Sequence, residues 1–120
     1  MAKIVLIGLE QVVAGEICRA LAVERHQIEQ RPQDVRTQEF PDADIVFAGG
    51  EPAYYMPLLR RVRKAQPLLP FVVVSRIGEI TEWLDALEAG ATDYFSVPIE
   101  KRQLHWLMES ALPRPRVVAA

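Results

Sequence analysis

The sequence predicts a three-layer α/β sandwich, a parallel sheet with helices covering both faces. Two patterns carry that prediction. Short, almost uninterrupted apolar runs at 3–7, 44–48 and 71–75, rich in Val, Ile and Phe, have the composition of strands buried on both sides. Between them lie stretches whose apolar residues recur every third or fourth position, the period of a helix with one face on a core. Alternation of the two patterns along 120 residues implies right-handed crossovers between parallel neighbours.

The first strand, 3–7, leads into a helical pattern over 10–24, where Val13, Ile17 and Leu21 fall on every fourth residue with Ala14 and Ala20 beside them. A weaker strand is placed at 26–30. The segment 31–41 has no clear period and holds only Val35 and Phe40 as apolar anchors, so an irregular or short helical turn is expected there. The strand at 44–48 precedes a helix over about 53–66 carried by Leu58, Leu59 and Val62. Its basic residues Arg60, Arg61, Arg63 and Lys64 lie mostly off that stripe and read as a solvated face. After the strand at 71–75, Ile80, Leu84 and Leu87 mark a short helix with that stripe toward the core, which Gly90 can end by taking a positive φ. A weak strand at 94–96 and a last helix, marked by Leu104, Leu107, Met108 and Ala111 and stopped by Pro113, complete the order. Residues 1–112 make one domain, and 113–120 read as a tail or as a linker to a further module.

Composition removes several function classes. Fourteen Lys plus Arg against sixteen Asp plus Glu leave a formal charge of −2, so no net positive field draws the chain to nucleic acid. One cysteine, Cys18, can form neither an internal disulfide nor a Cys-rich zinc site, which fits a reducing compartment. The apolar run at 4–9 is too short for a membrane span or a signal-peptide core, so the chain reads as cytoplasmic. His26 and His105 have no neighbours at ligand spacing, and no metal is expected. Gly8, Gly15, Gly49 and Gly50 make neither GxGxxG nor GxxxxGK[ST], so no phosphate cradle and no cofactor is specified.

Three stretches carry a family likeness: Leu58-Leu59-Arg60-Arg61-Val62-Arg63, then Leu69-Pro70-Phe71-Val72-Val73-Val74-Ser75, then Ala86-Leu87-Glu88-Ala89-Gly90-Ala91-Thr92-Asp93-Tyr94. In this order the chain resembles the response-regulator receiver family of two-component signalling and phosphorelay. The resemblance implies a flavodoxin-like sheet of order 2-1-3-4-5, with the site at the carboxyl ends of strands one and three. A working receiver needs a carboxylate nucleophile ending the third strand, an acidic pair after the first to hold Mg²⁺, and a lysine after the fifth. Here the third strand reaches Gly49, the first leads to Gly8-Leu9-Glu10, and the lysine position holds Val97 before Pro98, a peptide often cis in the family. A one-residue shift would bring Ala48 or Gly50 to the nucleophile position and restores nothing. Glu51 reads as a solvated loop residue. The resemblance therefore implies a degenerate pseudo-receiver, without catalysis or metal.

Ser75 and Tyr94 match the family's switch-like pair. In the family, the face built from the fourth helix, the fifth strand and the fifth helix is the usual interface. Trp83, Tyr94 and Trp106 fall on those elements, and Trp106 sits opposite the stripe of its helix. The implied role is a signalling module acting by contact with a protein partner or as a homodimer, joined to an output module. The alternative is a nucleotide or anion sensor using the vacated pocket around Gly8, Gly49, Ser75 and Arg76.

Overall fold

Each apolar run pairs as a parallel strand because a helix lies on either side to cover it. The computed structural model describes residues 2–22, 25–32, 40–76 and 78–112. Their order is β1 (Lys3–Ile7), α1 (Gln11–Ala20), β2 (Gln27–Arg31), β3 (Ile45–Gly49), α2 (Pro52–Ala65), β4 (Phe71–Ser75), α3 (Ile80–Glu88), β5 (Asp93–Ser96) and α4 (Lys101–Ala111). The strands form one five-stranded parallel sheet, β2-β1-β3-β4-β5. Three strands sit one residue from their expected bounds, and α1 stops at Ala20, with the Leu21 N–H bonded to Ile17 O. Proline at the start of α2 has no N–H to leave unpaired. Of the irregular segment expected at 31–41, residues 33–39 lie outside the described residues, as do Pro113 and the rest of 113–120.

Alternation along the strands divides the interior in two. Val5, Ile7, Val46, Ala48, Val73 and Tyr94 meet α2 and α3 on one side, with Tyr55 and Leu59 at the centre. Ile4, Leu6, Ile45, Phe47, Val72 and Phe95 meet α1 and α4 on the other, through Ile17, Leu104, Leu107 and Met108. At the strand starts, Asp44 accepts the Lys3 N–H at 2.7 Å and Thr92 accepts the Phe71 N–H at 3.0 Å, satisfying donors at the ends of β1 and β4.

Two expectations are corrected. The apolar stripe of α3 does not face the core: Ile80 is 70% exposed, Trp83 41% and Leu84 48%, while Ala86 alone is buried and Leu87 packs partway. Periodicity tells which residues share a face, not which face meets the sheet. Here the small Ala86 and the inward carboxylate of Glu82, which accepts the Tyr94 hydroxyl at 3.1 Å, take the inner side. Arg63, in turn, is not a solvated charge. Its Nε donates to Gly90 O at 2.7 Å, and its Nη1 donates to Leu69 O at 2.7 Å and Gln66 O at 3.3 Å. Gly90 takes the positive φ expected of it, 105°, and an added Cβ would lie 3.0 Å from the Arg63 side chain.

Candidate functional site at the carboxyl ends of the strands

The loops after β1, β3, β4 and β5 converge where the strand order reverses between β1 and β3, the place where open parallel sheets bind ligands. They enclose a cavity of about 560 Å³ bordered by Gly8, Leu9, Glu10, Gly49, Glu51, Ser75, Arg76, Glu82 and Val97, among others. Gly8 (φ 68°) and Gly50 (φ 101°) turn the chain out of β1 and β3 through conformations that side-chain-bearing residues avoid.

Gly49 is present for a different reason, which is space. A Cβ there would fall 2.5 Å from Leu9 Cδ2, 3.3 Å from Gly8 O and 3.4 Å from Val74 O. Leu9 thus occupies the volume that a side chain on the end of β3 would need. Glu10, ahead of α1, pairs with Arg76 Nη1 at 3.2 Å, both side chains more than half exposed. Such a surface pair contributes at most about 1 kcal/mol, yet it ties Arg76 to an acid already present. Glu51 is exposed ahead of α2. Val97 borders the cavity, and the Val97-Pro98 peptide is cis. With Glu10, Glu51 and Glu82 against one paired arginine, the lining is net negative.

Beneath the cavity, Ser75 and Tyr94 are both 8% exposed. The Ser75 hydroxyl donates to the Tyr94 oxygen, and the Tyr94 hydroxyl donates to Glu82. Burial, then the Glu82 bond and charge, hold the Tyr94 pKa above the usual 10.0, against the opposing pull of Ser75. Burial raises Tyr55 to about 12, with Tyr94, Glu82 and Asp85 adding to it. A folded state that holds a phenol proton more tightly than the unfolded chain has that stabilisation in full below the usual 10.0 and loses it as pH rises through about 12. Urea midpoints are therefore expected to fall in that alkaline window, and Tyr55→Phe should remove the larger part of the decline. An unchanged decline in Tyr55→Phe would assign it to other groups.

Of the expected interface residues, Trp83 on α3 and Trp106 on α4 are at the surface, Trp106 at 74% exposure, whereas Tyr94 lies under α3. The two helices cover opposite faces of the sheet and flank the free edge of β5. His26 is remote from the cavity, its Nδ1 accepting the Ala2 N–H at 3.3 Å. Cys18 is half-buried against the α1 side of the core. Among the described residues, no three His, Cys, Asp or Glu side chains gather as a metal site, and no helix is long and apolar enough to cross a membrane. Sequence reasoning missed Glu82, which reads there as one more surface acid, and the contact of Leu9 with position 49, which has no local signature.

No protein-family model matches the sequence. No curated protein matches it significantly. Solved structures do match in shape. A putative response regulator from Chloroflexus aurantiacus J-10-fl superposes with a TM-score of 0.80 at 20% identity, over 94% of this chain and 98% of that one. A response regulator receiver domain protein from Clostridium thermocellum gives 0.77 at 20% identity, over 92% and 94%. NtrX from Brucella abortus, in a complex with ADP, gives 0.77 at 24% identity; 92% of this chain is covered, but only 26% of the NtrX chain. In fold, this chain is an α/β flavodoxin-like domain of the response-regulator receiver type, with its five parallel strands in the order 2-1-3-4-5.

Proposed function

We propose that the chain is a receiver-type signalling module that works by protein contact and carries out no phosphotransfer. The observation that carries this reading is Gly49 at the end of β3 with Leu9 packed over it, where a phosphoryl acceptor would need a carboxylate. Around it, the one acid of the β1–α1 loop is paired with Arg76, and Val97 stands where a lysine would balance phosphoryl charge. No metal or cofactor enters the role. Contact runs through the α3, β5 and α4 face, to a partner protein or a second copy, with Trp83 and Trp106 exposed on it and Tyr94 supporting it from below. Residues 1–112 form the module and 113–120 link it in the cytoplasm to an output module, as the match to about a quarter of NtrX suggests for a part of a longer chain.

Sedimentation velocity with and without beryllofluoride and Mg²⁺ tests the independence from phosphorylation. Identical profiles are expected; a change of mass or shape on adding the phosphate mimic would overturn the reading.

The cavity favours a second reading, a small-ligand sensor. Leu9, Val13, Pro52, Ala53, Val74 and Val97 give it apolar walls. Its negative lining opposes the nucleotide or anion form of that reading, and an unchanged melting temperature with ATP, GTP and cyclic dinucleotides removes that form.

A further inference from the structure

We propose that the outer face of α3 docks a basic amphipathic segment of another protein, in preference to a second copy of this chain. This rests on the contact reading above and names the chemistry of the partner. Ile80, Trp83, Leu84 and the half-buried Leu87 form an i, i+3, i+4, i+7 stripe turned away from the sheet. At about 100° per residue, Glu79 falls to one side of that stripe and Glu88 to the other, with Asp85 beyond it. All three are exposed. From Gly78 to Glu100 the chain has six carboxylates, those of Glu79, Glu82, Asp85, Glu88, Asp93 and Glu100, and no lysine or arginine. The rest of the chain holds all fourteen basic residues against ten acids. The −2 net charge therefore hides an acidic segment on an otherwise basic protein.

An apolar stripe rimmed by carboxylates is complementary to an apolar stripe rimmed by Lys and Arg, and it repels nucleic acid and anionic membrane surfaces. Among the described residues, a second copy presents no apolar stripe rimmed by Lys and Arg. Two-fold pairing of α3 with itself sets Glu79, Asp85 and Glu88 against their own copies. The basic residues Arg60, Arg61 and Lys64 of α2 are exposed, but α2 itself carries no exposed large apolar residue, and the next along the chain is Leu68, beyond the end of the helix. On α4, the helical period sets Arg102 and Glu109, one charge of each sign, on the Trp106 face.

The experiment titrates the full chain, as Trp106→Phe so that Trp83 alone reports, with two designed helical peptides. They share one apolar stripe, rimmed by lysine in one and by glutamate in the other. Sedimentation of the wild-type chain accompanies the titration. The inference expects a monomer that binds the lysine peptide at least about tenfold more tightly than the glutamate peptide, with affinity falling as salt rises. Leu84→Asp, at an exposed position, should abolish binding while leaving the circular dichroism unchanged. Equal binding of the two peptides overturns the inference. A dimer that Leu84→Asp dissociates also overturns it, yet leaves the contact reading standing. A monomer that binds neither peptide removes both for this face.

Discussion

Gly49→Asp is expected to lower the stability of the fold by about 1–2 kcal/mol and to create no phosphoryl acceptor. The Cβ alone would lie 2.5 Å from Leu9 Cδ2, so Leu9 must leave its position. The Gly8 and Val74 carbonyl oxygens, 3.3 and 3.4 Å from that Cβ, crowd it further, and the cavity's arginine is already held by Glu10. Overpacking and the addition of a carboxylate to a net-negative lining act in the same direction. Urea unfolding of Gly49→Asp, Leu9→Ala and the double variant checks this. The double variant should recover part of the loss, with a coupling of about 0.5–1 kcal/mol. Additive effects would mean that the two side chains do not compete for that space.

The second large effect belongs to Arg63. Its guanidinium donates to three carbonyls: Gln66 at the end of α2, Leu69 before β4, and Gly90 after α3. Burial of the group pulls its pKa below the usual value without neutralising it. Replacing it leaves three acceptors without their donor at the junction that seats the C-terminal end of α3. Arg63→Met keeps the stem and should cost about 2–3 kcal/mol, discounted for partial solvent access. Lysine cannot reproduce the fork and should restore only a fraction. Arg60→Met, on the exposed face of the same helix, is the control and should stay within about 0.5 kcal/mol of wild type. Equal effects of Arg60→Met and Arg63→Met would return Arg63 to the solvated group its neighbours form.

Arg63 also shows where the sequence stops being readable. Four basic residues between 60 and 64 look alike in a string; one of them differs because the turn after α3 passes within reach, a contact 27 residues away along the chain. The strands were legible because burial on both faces demands continuous apolar runs, and their order followed from the resemblance, not from the runs. For α3, the spacing of Ile80, Leu84 and Leu87 correctly marks a helix but carries no information on which side the sheet lies. That is decided by Ala86 and by Glu82 meeting Tyr94. At the site, the resemblance to receivers puts Gly8, Leu9, Glu10, Gly49, Ser75 and Val97 at strand ends, and they border one cavity. That Leu9 fills the space over Gly49, and that Glu10 holds Arg76, depends on loops meeting across the sheet, which no local pattern encodes.

If the chain works by contact alone, as proposed, no group at the carboxyl ends of its strands takes up a phosphoryl. The decisive measurement is the intact-protein mass after incubation with acetyl phosphate and Mg²⁺. An unchanged mass is expected; a stoichiometric, hydroxylamine-labile adduct on any carboxylate would overturn the proposal.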